Sequence, residues 1–300
     1  MTADFELKGI IPPLVTPLDD DGALDEQAFR RSIRRMVRAG ASGIFILGSS
    51  GEFAALTDAC KARVIETAVD EVGGKMPVLV GVGDTSTARV FENMQAAALP
   101  GVSAIVVCTP YYFPTQQEAL VKFYEDIAEK SQVPVVLYNV PQTTKTWIGI
   151  ETVRRLTDNP NIIGIKDSSG DFAYHQRLIS LASSASRFSV LQGDELSIGA
   201  SVLMGGHGAV PGIANLDPKA CVDLYDAAAS GDAATAVKMQ SGVSSLCEVY
   251  KHGGSPVGAL KACLKMMGEG SGKLTHPLDD QKPLDDLEIL SRILSEHGLI

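Results

Sequence analysis

Ile162-Ile-Gly-Ile-Lys-Asp-Ser-Ser-Gly-Asp171 runs apolar or small residues into a lysine, then into small polar residues and a carboxylate. A short apolar run bounded by turn-formers has the character of a buried parallel strand leaving its sheet. Lys166 then stands at the C-terminal end of that strand, where the sites of α/β proteins collect. A lysine half inside an apolar barrel is poorly solvated in its charged form. As a neutral amine it attacks ketones and forms Schiff bases. An isolated lysine more often snorkels from a surface loop, so the surrounding sequence decides.

The same strand pattern recurs on both sides of this stretch. Apolar runs at 9–17, 43–48, 77–83, 104–110 and 134–139 precede it, and runs at 188–193 and 208–213 follow. Helical signals separate them. After Asp25, Phe29, Ile33, Met36 and Val37 keep helical spacing and Gly40 stops the helix. Thr57 has the character of an N-cap, with Cys60, Val64 and Ile65 facing inward. Further helices are expected from about Ser86, from about Gln116, over 151–157, in a short piece ending at Met204, and from Asp217-Pro218. Eight strand-then-helix units predict a (β/α)8 barrel. The alternative, a doubly wound sheet, lacks the G-x-G-x-x-G that a dinucleotide fold carries after its first strand. We expect residues 1–229 to form the barrel and 230–300 a helical extension packed on it. The extension has helical stretches at 231–251, 256–267 and 283–297. Val257, Leu260, Leu264 and Met267 share one face of the second, and Leu287, Leu290, Ile293 and Leu294 one face of the third.

A formal net charge of −10 over 300 residues argues against nucleic acid or anionic membranes as partners. Cys60, Cys108, Cys221, Cys247 and Cys263 are scattered and form no CxxC pair, which suits thiols used as small core residues in a reducing compartment. The N-terminal residues have no secretory pattern and no apolar stretch approaches the ~20 residues of a membrane span. A cytoplasmic enzyme is expected.

Strand ends converge on one face of a barrel. There the sequence delivers Ser49, Ser50 and the Gly51 amide, Tyr111 and Tyr112, Tyr138 and Asn139, Lys166 and Ser168, Gly193, and Val210. A lysine, hydroxyls and glycine amides suit amine catalysis on a ketone that bears a carboxylate. His175, His207, His252, His276 and His297 form no metal-ligand spacing and are expected at the surface or at caps, so no metal is expected. There is no G-x-S-x-G elbow and no Walker loop.

Gly48-Ser-Ser-Gly-Glu52, Thr109-Pro-Tyr-Tyr112, Tyr138-Asn-Val-Pro141 and Gly164-Ile-Lys-Asp167 stand in the order found in the dihydrodipicolinate synthase / N-acetylneuraminate lyase superfamily, which the chain resembles from Gly9 to its last helices. The resemblance implies a (β/α)8 barrel with a C-terminal helical extension, usually a homotetramer built as a dimer of dimers. It implies a class I aldolase or lyase that joins pyruvate to an aldehyde, or splits the adduct, through a lysine–pyruvate imine without a further cofactor. Lys166 resembles the Schiff-base lysine and Tyr138 the proton-shuttling tyrosine. Ser49 matches the hydroxyl of a proton relay. Ser50, with the Gly51 amide, matches the holder of the pyruvate carboxylate. Tyr112 matches a tyrosine lent across the tight dimer interface.

Two positions depart from the dihydrodipicolinate synthase pattern. Those enzymes carry an arginine two residues after the motif's proline to hold a second carboxylate, where this chain has Thr143, with Lys145 nearby. The loop Tyr111-Tyr-Phe-Pro-Thr115 also lacks the arginine of aldolases that take phosphorylated substrates. These departures favour an unphosphorylated 2-keto-3-deoxy sugar acid or related 4-hydroxy-2-oxo acid, with Thr143, Ser168 and Glu195 placed to bind its hydroxyls. The competing readings are dihydrodipicolinate synthesis, a Schiff-base dehydratase, and a keto-acid-binding protein without turnover.

Overall fold

Strand β6, Ile162–Asp167, lies in the middle of a parallel sheet, paired with β5, Val135–Asn139, on one side and β7, Ser189–Gln192, on the other. The computed structural model describes residues 6–185, 187–278 and 287–300. Its eight-stranded sheet has the order β1-β8-β7-β6-β5-β4-β3-β2. The remaining strands are β1 (Gly9–Ile10), β2 (Ile44–Ile46), β3 (Val78–Gly81), β4 (Val102–Cys108) and β8 (Gly208–Ala209). The expected strand at 9–17 is thus much shorter. Pro12 and Pro13 have no N–H for a ladder. Closure comes instead from a bridge between Pro13 and Phe45, with Phe45 N donating to the Pro12 carbonyl at 2.9 Å and Leu14 N to the Phe45 carbonyl at 2.8 Å. The expected strand at 208–213 also ends early, because the chain turns into a 3-10 helix at Gly212–Asn215. The molecule is a (β/α)8 barrel.

The crossovers are α1 (Glu26–Ala39), α2 (Asp58–Val72), α3 (Thr87–Ala96), α4 (Gln117–Lys130), a short α5 (Pro141–Thr144) and α6 (Ile150–Leu156). After them come α7 (Phe172–Ala182), α8 (Ile198–Leu203) and α9 (Pro218–Ala229). Side-chain caps start them where expected. Asp25, Thr57, Ser86 and Asp217 each accept a hydrogen bond from a backbone amide of the first turn, and Gly40 ends α1 with φ 80°. The final helices are α10 (Ala233–Leu246), continued as a 3-10 turn Cys247–Lys251, α11 (Pro256–Met266) and α12 (Leu287–Glu296). Residues 283–286 of the expected last helix lie outside the described residues. Leu290, Ile293 and Leu294 are buried as expected, whereas Leu287 is 48% exposed at the first turn of α12.

The strands carry two cores because alternate side chains face opposite ways. Ile11, Phe45, Leu79, Val106, Tyr138 and Leu191 fill the barrel interior. Ile44, Ile46, Val80, Ile105, Leu137 and Ile165 face outward and pack under the helices. Lys166 follows Ile165 and therefore points inward, and Asp167 points outward.

Candidate active site

β5 and β6 pair with Tyr138 and Lys166 as register partners, so the two side chains stand side by side on the inner face. Lys166 is 5% exposed. Its Nζ lies 4.3 Å from the centre of the Tyr138 ring and 5.1 Å from that of Phe45. Those two rings meet edge to face at 6.3 Å, which fixes the tyrosine's plane. Beyond the end of β2, the Ser49 hydroxyl lies 3.3 Å from the Tyr138 hydroxyl. The loop that delivers Ser49 turns through two non-glycine residues with left-handed backbone, Leu47 at φ 55° and Glu52 at φ 56°. Such conformations cost about 1–3 kcal/mol each and persist where the surroundings impose them.

Two cavities open on this face and share Tyr138. One, of about 240 Å³, is lined by Ser50, Tyr138, Lys166, Ser168, Gly193, Glu195 and Val210, with Tyr250, Pro256 and Leu260 contributed from beyond the last strand. The other, of about 330 Å³, is lined by Ser49, Cys108, Tyr111, Tyr138 and Thr143, with Val257 and Leu278. Gly193 has to be glycine: a Cβ there would stand 2.0 Å from the Ser168 Oγ and 2.8 Å from the Asp167 carbonyl oxygen. Burial pushes the Cys108 thiol and the Tyr111 phenol up to about 12, so both remain protonated and Cys108 is an inert wall. A larger cavity of about 530 Å³ between α3 and α4, lined by residues such as Phe91, Leu99 and Lys130, includes none of these groups.

Most of the expected residues therefore meet, and three differ in detail. The Gly51 amide donates to the Gly48 carbonyl at 3.0 Å and its carbonyl accepts from the Thr16 hydroxyl at 2.8 Å, so the residue braces its own loop. Glu195 lies at the cavity wall, but its Oε1 already accepts from Gly212 N at 2.8 Å, Ile213 N at 3.3 Å and the Tyr250 hydroxyl at 2.9 Å. Burial beside that carboxylate pushes the Tyr250 phenol well above its ordinary value. Tyr112 lines neither cavity: it is 80% exposed, at φ 79°, with its ring against Phe113. Thr143 donates to the Val140 carbonyl at 3.1 Å while lining the second cavity. Lys145 is exposed and donates to the Gln142 carbonyl at 2.7 Å.

His175 corrects the expectation that the histidines lie at the surface or at caps. It is 1% exposed, on α7. Its Nδ1 lies 3.2 Å from Asp167 and its Nε2 2.8 Å from the Ser201 hydroxyl. Asp167 also accepts from Asn139 Nδ2 at 2.9 Å and Ser169 N at 3.1 Å. Asn139, Asp167, His175 and Ser201 are all buried, so this serine–histidine–aspartate chain has no access to a substrate. It ties the outer faces of β5 and β6 to α7 and α8, directly behind Tyr138 and Lys166. No spacing in the sequence joins Ser201 to Asp167, and the signal for this network was absent there.

The family model described as the dihydrodipicolinate synthetase family matches residues 6–295. An uncharacterised DapA-like lyase of Halobacterium salinarum is 35% identical, over 98% of this chain and 95% of its own length. The 4-hydroxy-tetrahydrodipicolinate synthase of Phenylobacterium zucineum is 35% identical over 99% of both chains. Among solved structures, YagE of E. coli K12, a prophage protein of the dihydrodipicolinic acid synthase family captured with pyruvate, superposes with a TM-score of 0.92 at 31% identity, covering 98% of this chain and 99% of its own. With the motifs on β2, β4, β5 and β6 opening on one barrel face, the chain belongs to the dihydrodipicolinate synthetase family and is a class I lyase.

Proposed function

We propose that Lys166 carries the substrate as an imine and that the enzyme cleaves, or forms, the C–C bond of an unphosphorylated 2-keto-3-deoxy sugar acid or related 4-hydroxy-2-oxo acid. The observation that carries this is the buried Lys166 amine beside Tyr138, whose hydroxyl is within reach of Ser49. In the cleavage direction the amine adds to the C2 ketone, and the carbinolamine loses water to give an iminium. Tyr138, relayed through Ser49, takes the C4 hydroxyl proton as the C3–C4 bond breaks. The bonding pair moves into the iminium, leaving an enamine and releasing an aldehyde. The relay returns the proton taken from the C4 hydroxyl to C3, and water adds to the resulting iminium to release pyruvate and the free lysine. Ser50 is the donor to the substrate carboxylate, and Gly51, whose amide donates to the Gly48 carbonyl, holds the turn that presents it. Ser168, Gly193, Glu195 and Val210 border the chain of the bound acid. Neither a metal nor a further cofactor enters these steps.

Thr143 supports the sugar-acid reading. Among the described residues no lysine or arginine lines the cavity it borders, so none of them offers a second carboxylate a cation there. Losing a charge-assisted bond of about 1.5–3 kcal/mol corresponds to roughly one to two decades in kcat/KM. The second reading, 4-hydroxy-tetrahydrodipicolinate synthesis, is favoured by the names of relatives such as the Phenylobacterium zucineum enzyme. The test is kcat/KM on one preparation, for release of pyruvate from unphosphorylated 2-keto-3-deoxy sugar acids and for condensation of pyruvate with aspartate semialdehyde. The sugar acids should be preferred. A roughly tenfold preference for the semialdehyde contradicts the reading of Thr143, and loss of water without C–C cleavage identifies a dehydratase.

The exposed Tyr112 and Phe113 support a homo-oligomer, a tetramer built as a dimer of dimers, with Tyr112 reaching a neighbouring subunit's site. Residues 1–229 serve as the catalytic barrel and 230–300 as the extension packed on it. Among the described residues no helix is long and apolar enough to cross a membrane, and scattered free thiols suit a cytoplasmic enzyme.

A further inference from the structure

Glu52 follows directly on the loop that presents Ser49 and Ser50, and it is one of the most buried charges described. Its side chain is 1% exposed and that of its partner, Lys261 on α11, 3%. Oε2 accepts from both the amide and the hydroxyl of Thr275, each at 2.8 Å. Oε1 is paired with Lys261 Nζ and has no hydrogen-bond partner besides among the described residues. Lys261 Nζ also donates to the Lys273 carbonyl at 2.7 Å. The same stretch is tied to the loop after β1, where Ser271 Oγ donates to the Leu18 carbonyl at 2.5 Å and Lys273 Nζ to the Asp20 carbonyl.

We propose that the Glu52–Lys261 pair, locked by Thr275, is a positioning device through which the C-terminal region holds the Ser49–Gly51 loop and so sets how tightly the site grips a 2-oxo acid's carboxylate. The backbone transmits the constraint. Glu52 N donates to the Ser49 carbonyl at 3.1 Å, and the Glu52 carbonyl accepts from Ala55 N at 2.8 Å and Leu56 N at 3.2 Å. With its φ at 56° and its amide in that turn, Glu52 cannot rotate without moving Ser49 and Ser50. A buried ion pair is a poor means of gaining stability, because desolvation offsets its attraction, but it does select one arrangement over others. Lys261 lines neither cavity, so it is no second nucleophile for a substrate held there.

The inference rests on the proposed role of Ser50 at the carboxylate, and the experiment separates the two. KM for pyruvate, kcat and the melting temperature are measured for full-length wild type, Ser50→Ala, Lys261→Met, Lys261→Arg and the double variant Glu52→Gln/Lys261→Met. Ser50→Ala and Lys261→Met should each raise KM by about tenfold, with kcat changed by no more than about threefold. Lys261→Arg should recover most of the KM. The double variant has no uncompensated buried charge, so its melting temperature should return toward wild type while its KM stays raised. If Lys261→Met does not fold, the double variant decides. A lowered melting temperature with unchanged KM in every folded Lys261 variant makes the pair merely structural and overturns the inference, even where Ser50→Ala raises KM. An unchanged KM in Ser50→Ala removes the carboxylate site itself and overturns both.

Discussion

A phenol passes a proton only to a group within reach, and the Tyr138 hydroxyl has Ser49 at 3.3 Å. Tyr138→Phe removes that hydroxyl while keeping the ring against Phe45 and Lys166. It should lower kcat by about 10²–10⁴-fold with the melting temperature nearly unchanged. Wild-type turnover in the folded variant would make the tyrosine a packing residue. Lys166 and Tyr138 were legible in the sequence because each stands at the end of an apolar strand, where inward or outward orientation follows from counting by two. Ser49 lies past β2 and the left-handed Leu47, and its pairing with Tyr138 was legible only through the family resemblance. His175 was not legible. Its partners are Asp167, one residue past the lysine, and Ser201 on another helix, and only the folded chain brings them together. His175→Ala leaves buried Asp167 and Ser201 short of a partner, at a cost of about 1–3 kcal/mol. The urea midpoint should fall while pyruvate still labels Lys166, and an unchanged midpoint would contradict the network.

The barrel's elements were legible where local chemistry sets them. Asp25, Thr57, Ser86 and Asp217 are capping side chains, and their helices start where the caps stand. The ends of β1 and β8 were not, because apolar runs continue past the last ladder bond and burial alone does not distinguish a strand from a packed loop. α5 was missed for a related reason: the four residues Pro141–Thr144 carry no periodicity. α7 is capped by Asp171, whose carboxylate accepts from Tyr174 N at 3.0 Å just past the lysine-bearing strand. Asp171→Ala should cost about 1 kcal/mol, within the 0.5–2 kcal/mol range of N-cap losses. Urea titration reads this directly, and a change within error would show that the packing of α7 alone fixes its start.

At the scale of the molecule, the barrel face that carries the site also exposes Tyr112 at 80%, Phe113 at 74% and Trp147 at 41%. Aromatic surface of this kind is usually covered. Sedimentation equilibrium should therefore find the wild-type chain as a dimer or larger. The double variant Tyr112→Ala/Phe113→Ala should shift it to smaller species and lower kcat/KM. A fully active monomer would contradict a shared site. The wall that Tyr250, Pro256, Leu260, Val257 and Leu278 add to the two cavities lies beyond the eight strands. The helix that carries Pro256, Val257 and Leu260 is legible from its apolar spacing, but not its place at the site, because no motif marks a contact across the barrel mouth.

The central claim is that Lys166 is the covalent residue, and reductive trapping tests it most directly. Borohydride added with pyruvate should leave one reduced pyruvate per chain, on the peptide containing Lys166. Lys166→Ala should show only background labelling, and prior treatment with a chelator should change nothing. Labelling of another lysine in the wild-type protein, or undiminished labelling of Lys166→Ala, would contradict the account.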